Sequence, residues 1–91
     1  MEELTIRWTD YMQYRLRLRG FDVEVVEQIV RYSAERYTDT VTGRNVAVGR
    51  HREHLVIIPY ERDAKTLTPV TIHVTNRQQI AFRVKSGRFK A

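Results

Sequence analysis

Residues 54–60 read His-Leu-Val-Ile-Ile-Pro-Tyr, and their centre, Leu55 to Ile58, is a continuous apolar run. A run of this kind fits a central β-strand that is buried on both faces, because a strand covered on one face alternates apolar and polar residues. We therefore predict that this segment lies in the middle of a sheet and at the centre of the hydrophobic core.

The segments around this strand carry the signals of further strands. Residues 36–41 and 45–49 flank the turn Thr42-Gly43-Arg44, which predicts a β-hairpin. Apolar residues alternate with threonine and histidine over 68–74, which predicts a strand with one buried face. The apolar positions of that strand are Val70, Ile72 and Val74. A short strand is also predicted within 4–8, before the helices.

A first helix is predicted over 10–19. Thr9 is a suitable N-cap, and Gly20 stands where a left-handed C-cap ends such a helix. From Tyr14 to Arg19, however, apolar residues alternate with arginine, and this period of two also suits a strand. We choose the helix because of four-residue spacing among the apolar residues Trp8, Met12 and Leu16.

Two more helices are predicted from their capping residues. Asp22 caps the first of them, whose apolar face consists of Val26, Ile29 and Val30. Thr75 followed by Gln78 has the capping-box pattern, which predicts a short last helix that Gly87 ends. The inward stripe of that last helix is predicted to consist of Ile80, Ala81 and Val84.

These elements predict an α+β fold. We expect a two-layer sandwich, in which two N-terminal helices pack on a small sheet of three or four mostly antiparallel strands and a short helix follows. The 91 residues are enough for one domain. We therefore expect a single domain over 1–91, with its core within residues 5–89.

Composition restricts the class of protein. Hydrophobic residues make up 42% and charged residues 30% of the chain, the balance of a folded globular protein. The sequence has no cysteine, which excludes disulfides, thiol catalysis and zinc–cysteine sites. No apolar run is long enough to cross a bilayer, and no secretion signal is recognisable, so we expect a cytoplasmic protein without a membrane partner.

The positive charge is distributed unevenly along the chain. The net charge is +5, although residues 1–63 hold ten basic and eleven acidic side chains. Residues 64–91 hold six basic side chains and no acidic one, namely Lys65, Arg77, Arg83, Lys85, Arg88 and Lys90. This asymmetry favours a polyanionic partner such as RNA or an acidic protein, the alternative being a solvated basic face that aids solubility.

The chain resembles a known group of bacterial proteins. The residues that carry the resemblance are Arg15-Leu16-x-x-Arg19-Gly20-Phe21-Asp22, then a valine-rich helix, a hairpin, an apolar strand and Thr-Pro-Val-Thr-Ile-His-Val at 68–74. It is similar to a bacterial family of domains of unknown function related to the BrnT and RelE/ParE toxins of toxin-antitoxin systems. That family often has a histidine where this chain has Tyr11. The resemblance implies a two-helix lid on an antiparallel sheet, ribonuclease activity against messenger RNA and neutralisation by an antitoxin protein.

Cleavage of RNA without a metal needs a base for the 2′-hydroxyl, a cation for the phosphoryl oxygens and an acid for the leaving oxygen. His73 faces away from the apolar positions of its strand and lies close to Arg77 in sequence, so we predict a catalytic pair of His73 and Arg77. His54 and Tyr60, at the two ends of the central strand, are the other catalytic candidates. The alternative is that His73 is an ordinary surface residue and that Arg77 only keeps its charge in water.

The turn between the hairpin and the central strand is rich in cations and histidines. Arg50, His51, Arg52 and His54 crowd this stretch, and such a turn suits phosphate. Two histidines without a third clustered ligand do not predict a metal site, and no cofactor is expected. The predicted nucleic-acid contacts are Arg50, Arg52, Arg77, Arg83, Lys85 and Arg88.

Three functions agree with these features. The first is a toxin-like, metal-independent endoribonuclease that acts on RNA or on ribosomes and is neutralised by a partner antitoxin. The second is a non-catalytic module that docks nucleic acid or an acidic protein on its basic C-terminal face. The third is a structural or regulatory subunit whose exposed strand edge extends the sheet of another chain.

Overall fold

The computed structural model describes residues 3–91. Its elements in chain order are β1 (Thr5–Ile6), α1 (Asp10–Arg19), α2 (Val23–Tyr32), β2 (Glu35–Asp39), β3 (Asn45–His51), β4 (His54–Arg62), β5 (Thr66–Pro69), β6 (His73–Thr75), α3 (Arg77–Lys85) and β7 (Phe89–Lys90). The protein is therefore α+β, with the two predicted helices near its N-terminus and a short helix near its C-terminus.

The sheet of residues 3–91 has seven strands, in the order β1-β5-β4-β3-β2-β7, and β6 pairs with β4 beside β5. The pair β1–β5 is parallel and the other pairs are antiparallel. The prediction of three or four strands was too low. The short strand predicted within 4–8 is present as β1. The additional strands arise because the predicted strand over 68–74 is divided into β5 and β6, and because the two residues of β7 are too few for a period of two to be recognised.

Strand β4 is the centre of the core, as its apolar run predicts. Residues Leu55 to Ile58 are all buried. Val56 and Ile58 belong to one core cluster with the apolar faces of α1 and α2, whereas Leu55 and Ile57 belong to a second cluster with residues of α3 and β7. Because successive strand residues point to opposite faces, helices cover both faces of the sheet. The two-layer prediction is therefore wrong, and the fold has three layers.

The N-terminal helices begin and end where their capping residues predict. Thr9 accepts a hydrogen bond from the backbone N–H of Met12 at 3.1 Å, and Gly20 adopts the left-handed conformation with φ 69°. Asp22 accepts from the backbone N–H of Glu24 at 2.9 Å. The segment 10–19 is thus a helix rather than a strand.

Helix α2 lies so close to the sheet that one position of β3 requires glycine. A Cβ atom added at Gly49 would stand 2.6 Å from Cγ2 of Ile29. Ile29 is buried together with Val26 and Val30. The predicted apolar face of α2 is therefore confirmed, and Gly49 sets the distance between this helix and the sheet.

Helix α3 buries fewer side chains against the sheet than its sequence predicts. Its N-cap is Asn76 rather than Thr75, because the Asn76 side chain accepts from the backbone N–H of Gln79 at 2.8 Å. Only Ile80 of the predicted stripe is buried, while Ala81 and Val84 are exposed. The helix meets the sheet over a narrow contact.

The predicted strand over 68–74 is two strands, β5 and β6, with a break between them. At the break the carbonyl oxygen of Ile72 accepts from Nε of Arg15 at 3.0 Å instead of from a neighbouring strand. Ile72 is fully buried in the cluster beneath α1 and α2, whereas Val74 is 49% exposed. The break turns His73 and Val74 towards the edge of the sheet.

Over residues 3–91, none of the helices has the length and apolar character needed to cross a membrane.

Candidate nucleic-acid interface

Arginines surround His73 at the edge of the sheet. His73 stands opposite Ile57 of β4 and receives a hydrogen bond from Nη2 of Arg15, which lies 3.1 Å from its Nδ1. Arg83 of α3 and Arg19 of α1 are also close enough to act on the charge of His73. We call Arg15, Arg19, His73 and Arg83 the arginine–histidine cluster.

The protonation of His73 follows from these neighbours. Partial burial of the imidazole, together with the positive charges of Arg15, Arg83 and Arg19, holds the pKa of His73 below its ordinary value. An ordinary histidine has a pKa near about 6.5. The imidazole of His73 is therefore neutral at pH 7.

The contact with Arg15 selects one tautomer of this neutral ring. A guanidinium has N–H donors and no acceptor, so Nδ1 of His73 must accept the bond from Arg15. The ring proton then lies on Nε2. In this arrangement His73 offers a hydrogen-bond donor to a ligand.

Two grooves meet at His73. One, of about 170 Å³, is lined by Arg15, Arg19 and the apolar side chain of Phe21 among others. The second, of about 250 Å³, is lined by Arg83 and Arg44 among others. Grooves of this size suit a phosphate group rather than a whole drug-sized ligand, which needs about 300–1,000 Å³.

The cluster keeps its positive charge. Within residues 3–91, no carboxylate forms a salt bridge with Arg15, Arg19 or Arg83. Nε of Arg15 is held by the carbonyl of Ile72, and the guanidinium of Arg83 lies 5.4 Å from the centre of the Phe89 ring. These contacts fix the two guanidinium groups and leave N–H donors for an anion.

The predicted partner of His73 lies elsewhere. Nη1 of Arg77 contacts both carboxylate oxygens of Glu35, at 2.7 and 2.8 Å, and Arg15 takes the place beside His73. Burial works to raise the pKa of Glu35, but hydrogen bonds from Arg77 and Tyr37 outweigh it and leave that pKa below its ordinary value. Arg77 therefore attaches α3 to β2.

Arg88, another predicted nucleic-acid contact, is also paired. Its Nη2 lies 3.1 Å from Oδ2 of Asp39, a carboxylate that is only 5% exposed. Arg88 thereby attaches β7 to β2, next to the second groove. Lys85 is exposed at the end of α3.

The remaining catalytic candidates do not share a site with His73. Tyr60 is buried under α2, where its hydroxyl oxygen accepts from Nη1 of Arg36 at 2.9 Å. It belongs to the face of β4 that packs on α1 and α2, whereas His73 stands opposite Ile57, which faces α3. His54 is exposed at the beginning of β4.

The cation-rich turn holds one structural histidine. Arg50 and Arg52 are exposed, and Nη1 of Arg50 donates to the carbonyl of Glu53 at 3.2 Å. His51 is 3% exposed, and its Nε2 accepts from the backbone N–H of Asp22 at 2.9 Å. His51 thus provides the hydrogen-bond acceptor for the backbone N–H of Asp22, the N-cap residue of α2.

Arg15 and Arg19 are the cluster residues that the sequence reasoning missed. Counting charges by chain segment directed attention to residues 64–91, because the acidic residues of the first half mask its arginines. Both belong to the run Arg15, Arg17, Arg19, whose spacing on a helix separates Arg17 from the other two. The arginine run, once the segment is taken as a helix, is the signal that could have placed Arg15 and Arg19 together on one side of α1.

Among residues 3–91 there is no group of three His, Asp or Glu side chains that could hold a metal ion. No protein-family model, curated protein or solved structure matches this chain.

Proposed function

We propose that the protein binds RNA, in single-stranded form, through the arginine–histidine cluster. The observation that carries the proposal is the convergence of three guanidinium groups, none of them in a salt bridge with a carboxylate of residues 3–91, on a neutral histidine between two grooves. Arginine forks match the oxygens of a phosphodiester, and phosphate contacts supply most of the affinity of such proteins.

The surface next to the cluster suits unpaired bases. Helix α1 exposes Tyr11 on the same side as Arg15, four residues before it, and Tyr14 next to Tyr11, at 56% and 54% of their full exposure. Single-stranded RNA is held by stacking of its bases on aromatic rings beside cations that follow the backbone. A double helix keeps its bases stacked inside and leaves these rings unused.

The arrangement of His73 favours binding over cleavage. A general base needs a free lone pair aimed at the 2′-hydroxyl. The lone pair of His73 accepts from Arg15, and its other nitrogen carries the proton. Tyr60 and Arg77, the other proposed catalytic groups, are engaged with Arg36 and Glu35.

A toxin-like, metal-independent endoribonuclease, with an antitoxin as partner, is the second candidate. The depressed pKa of His73 supports it, because a base must be unprotonated at neutral pH. This mechanism requires the substrate phosphate to draw Arg15 away from Nδ1. Release of RNA fragments by the purified protein, alone or with ribosomes, would favour this candidate over simple binding.

The binding proposal is tested by fluorescence anisotropy with a labelled single-stranded RNA over a range of salt concentrations. Arg19→Gln and Arg83→Gln should weaken binding, and each lost phosphate contact should lower the slope of log affinity against log salt by about 0.7. Arg17→Gln is the matched control, since Arg17 is an exposed arginine of the same helix outside the cluster. Equal effects of all three variants, or an affinity independent of salt, would refute the proposal.

A further inference from the structure

A second cleft lies on the other face of the sheet, at the C-terminal end of α2. Its volume is about 480 Å³, within the range of pockets that hold small molecules. It is separate from the cluster because Tyr60, opposite Pro69, and Ile57, opposite His73, are three residues apart on β4 and point to opposite faces of the sheet. We call it the Tyr60 cleft, and its main lining residues are Leu4, Val30, Arg36, Tyr60, Arg62 and Leu67.

Arg36 is held rigidly in the wall of this cleft. Its Nε donates to the carbonyl of Ser33 at 2.9 Å, its Nη2 to the carbonyl of Val30 at 2.7 Å and its Nη1 to the hydroxyl of Tyr60 at 2.9 Å. Two of these acceptors are carbonyls at the end of α2, which helices otherwise leave unsatisfied. A guanidinium has five N–H groups, so two remain for a ligand.

The hydroxyl of Tyr60 has a proton to donate. Its oxygen accepts from Arg36, and within residues 3–91 it donates to no acceptor. Tyr60 is only 5% exposed, and the guanidinium of Arg36 lies 5.5 Å from the centre of its ring. Tyr60 lines the cleft, so this proton is available to a ligand oxygen there.

The charge around the cleft selects a monoanion. Three arginines line it, but Nε of Arg31 is compensated by Glu27 at 2.8 Å. Glu3, which also lines the cleft, accepts from the Tyr32 hydroxyl and acts on the charge of Arg31, so the three arginines together with Glu27 and Glu3 sum to one positive charge. The balance of one positive charge fits a single carboxylate better than a phosphate dianion.

We propose that the Tyr60 cleft binds a small carboxylic acid with an apolar body. The carboxylate accepts from the Tyr60 hydroxyl and from the free N–H groups of Arg36. The apolar body lies on Leu4 and Leu67. This site is independent of RNA binding at the arginine–histidine cluster.

The test is a titration of the intact, isotope-labelled protein with benzoate, followed by NMR. Benzoate should shift the signals of Val30, Arg36 and Tyr60, with a dissociation constant in the millimolar range, and leave those of His73 unchanged. Benzamide, which has the same shape without the charge, benzylamine and inorganic phosphate should bind much more weakly.

Tyr60→Phe removes the donor but keeps the ring that packs in the core. It should weaken benzoate binding about tenfold, as expected for a hydrogen bond to a charged group. Arg62→Gln should also weaken it, and this exposed position carries little risk to folding. The control is Tyr14→Phe, at an exposed position of α1 that does not line the cleft. Equal binding of benzamide, unchanged affinity in folded Tyr60→Phe, or benzoate shifts outside the cleft would each overturn the proposal.

Discussion

His73 shows how one residue depends on its neighbours. The hydrogen bond from Arg15 exists only while the imidazole is neutral, because a protonated ring has no lone pair to offer. Proton binding would also place a charge beside three guanidinium groups. The arginine contacts and the burial of the ring therefore both favour the neutral imidazole. The arginines come from both α1 and α3.

We expect His73 to titrate below the ordinary histidine value of about 6.5 when its imidazole signals are followed by NMR. Arg15→Gln should raise the pKa of His73 only part of the way, since burial is the larger cause of the depression. Arg17→Gln should leave it unchanged. A wild-type His73 that titrates at or above the ordinary value would contradict this description.

The same depression has a consequence for stability. The unfolded chain binds a proton at His73 more readily than the folded chain does, so acid favours unfolding. Above the ordinary histidine pKa, neutral His73 makes its full contribution to the free energy of unfolding. It is lost as pH falls from that value towards the lower pKa of the folded protein.

At the scale of elements, the buried carboxylate of Asp39 strengthens the attachment of β7 to its neighbour β2. Asp39 accepts from Nε and Nη2 of Arg88 and from the backbone N–H groups of Val41 and Thr42. Burial works to raise the pKa of Asp39, but these hydrogen bonds outweigh it and leave that pKa below its ordinary value. The carboxylate therefore stabilises the fold at neutral pH.

Asp39→Asn should lower the free energy of unfolding by about 1–3 kcal/mol, because it weakens several bonds to a buried group. The loss should be present at pH 7 and should shrink as pH falls below about 4, the ordinary pKa of aspartate. Denaturant unfolding at several pH values measures it. Glu61→Gln is the control, since its pair with Arg44 is exposed and such pairs contribute about 0–1 kcal/mol. Equal losses for both variants would contradict the role of Asp39.

The elements also show how far the sequence predicts this fold. The bounds of α1 follow from Thr9 and Gly20, and β4 follows from its apolar run, because caps and burial act locally. The break between β5 and β6 depends on the carbonyl of Ile72 reaching Arg15 in a distant helix. No local pattern encodes such a contact, and the same applies to the side of the sheet on which α3 lies.

The site was predictable to a smaller extent. The sequence directed attention to His73 and Arg83, but it paired His73 with Arg77 because the two are near in sequence. In the fold, Arg77 reaches Glu35 and His73 reaches Arg15. Partners separated by 42 and 58 positions along the chain are decided by topology, which composition and spacing do not specify.

At the scale of the whole molecule, the surplus charge is arranged differently from its order in the chain. Of the six basic residues in 64–91, Arg77 and Arg88 pair with carboxylates of β2. Arg83 instead joins Arg15 and Arg19 from the first helix. The surface proposed for RNA therefore draws on α1 as well as on the C-terminal third of the chain.

The most direct test of RNA binding by this surface is an NMR titration of the labelled protein with single-stranded RNA at low salt. We predict that the side-chain signals of Arg15, Arg19, His73 and Arg83 shift together, and that added salt reverses the shifts. The account would be contradicted if these signals stayed in place while those of the turn at Arg50 and Arg52 moved, or if no signal moved at all.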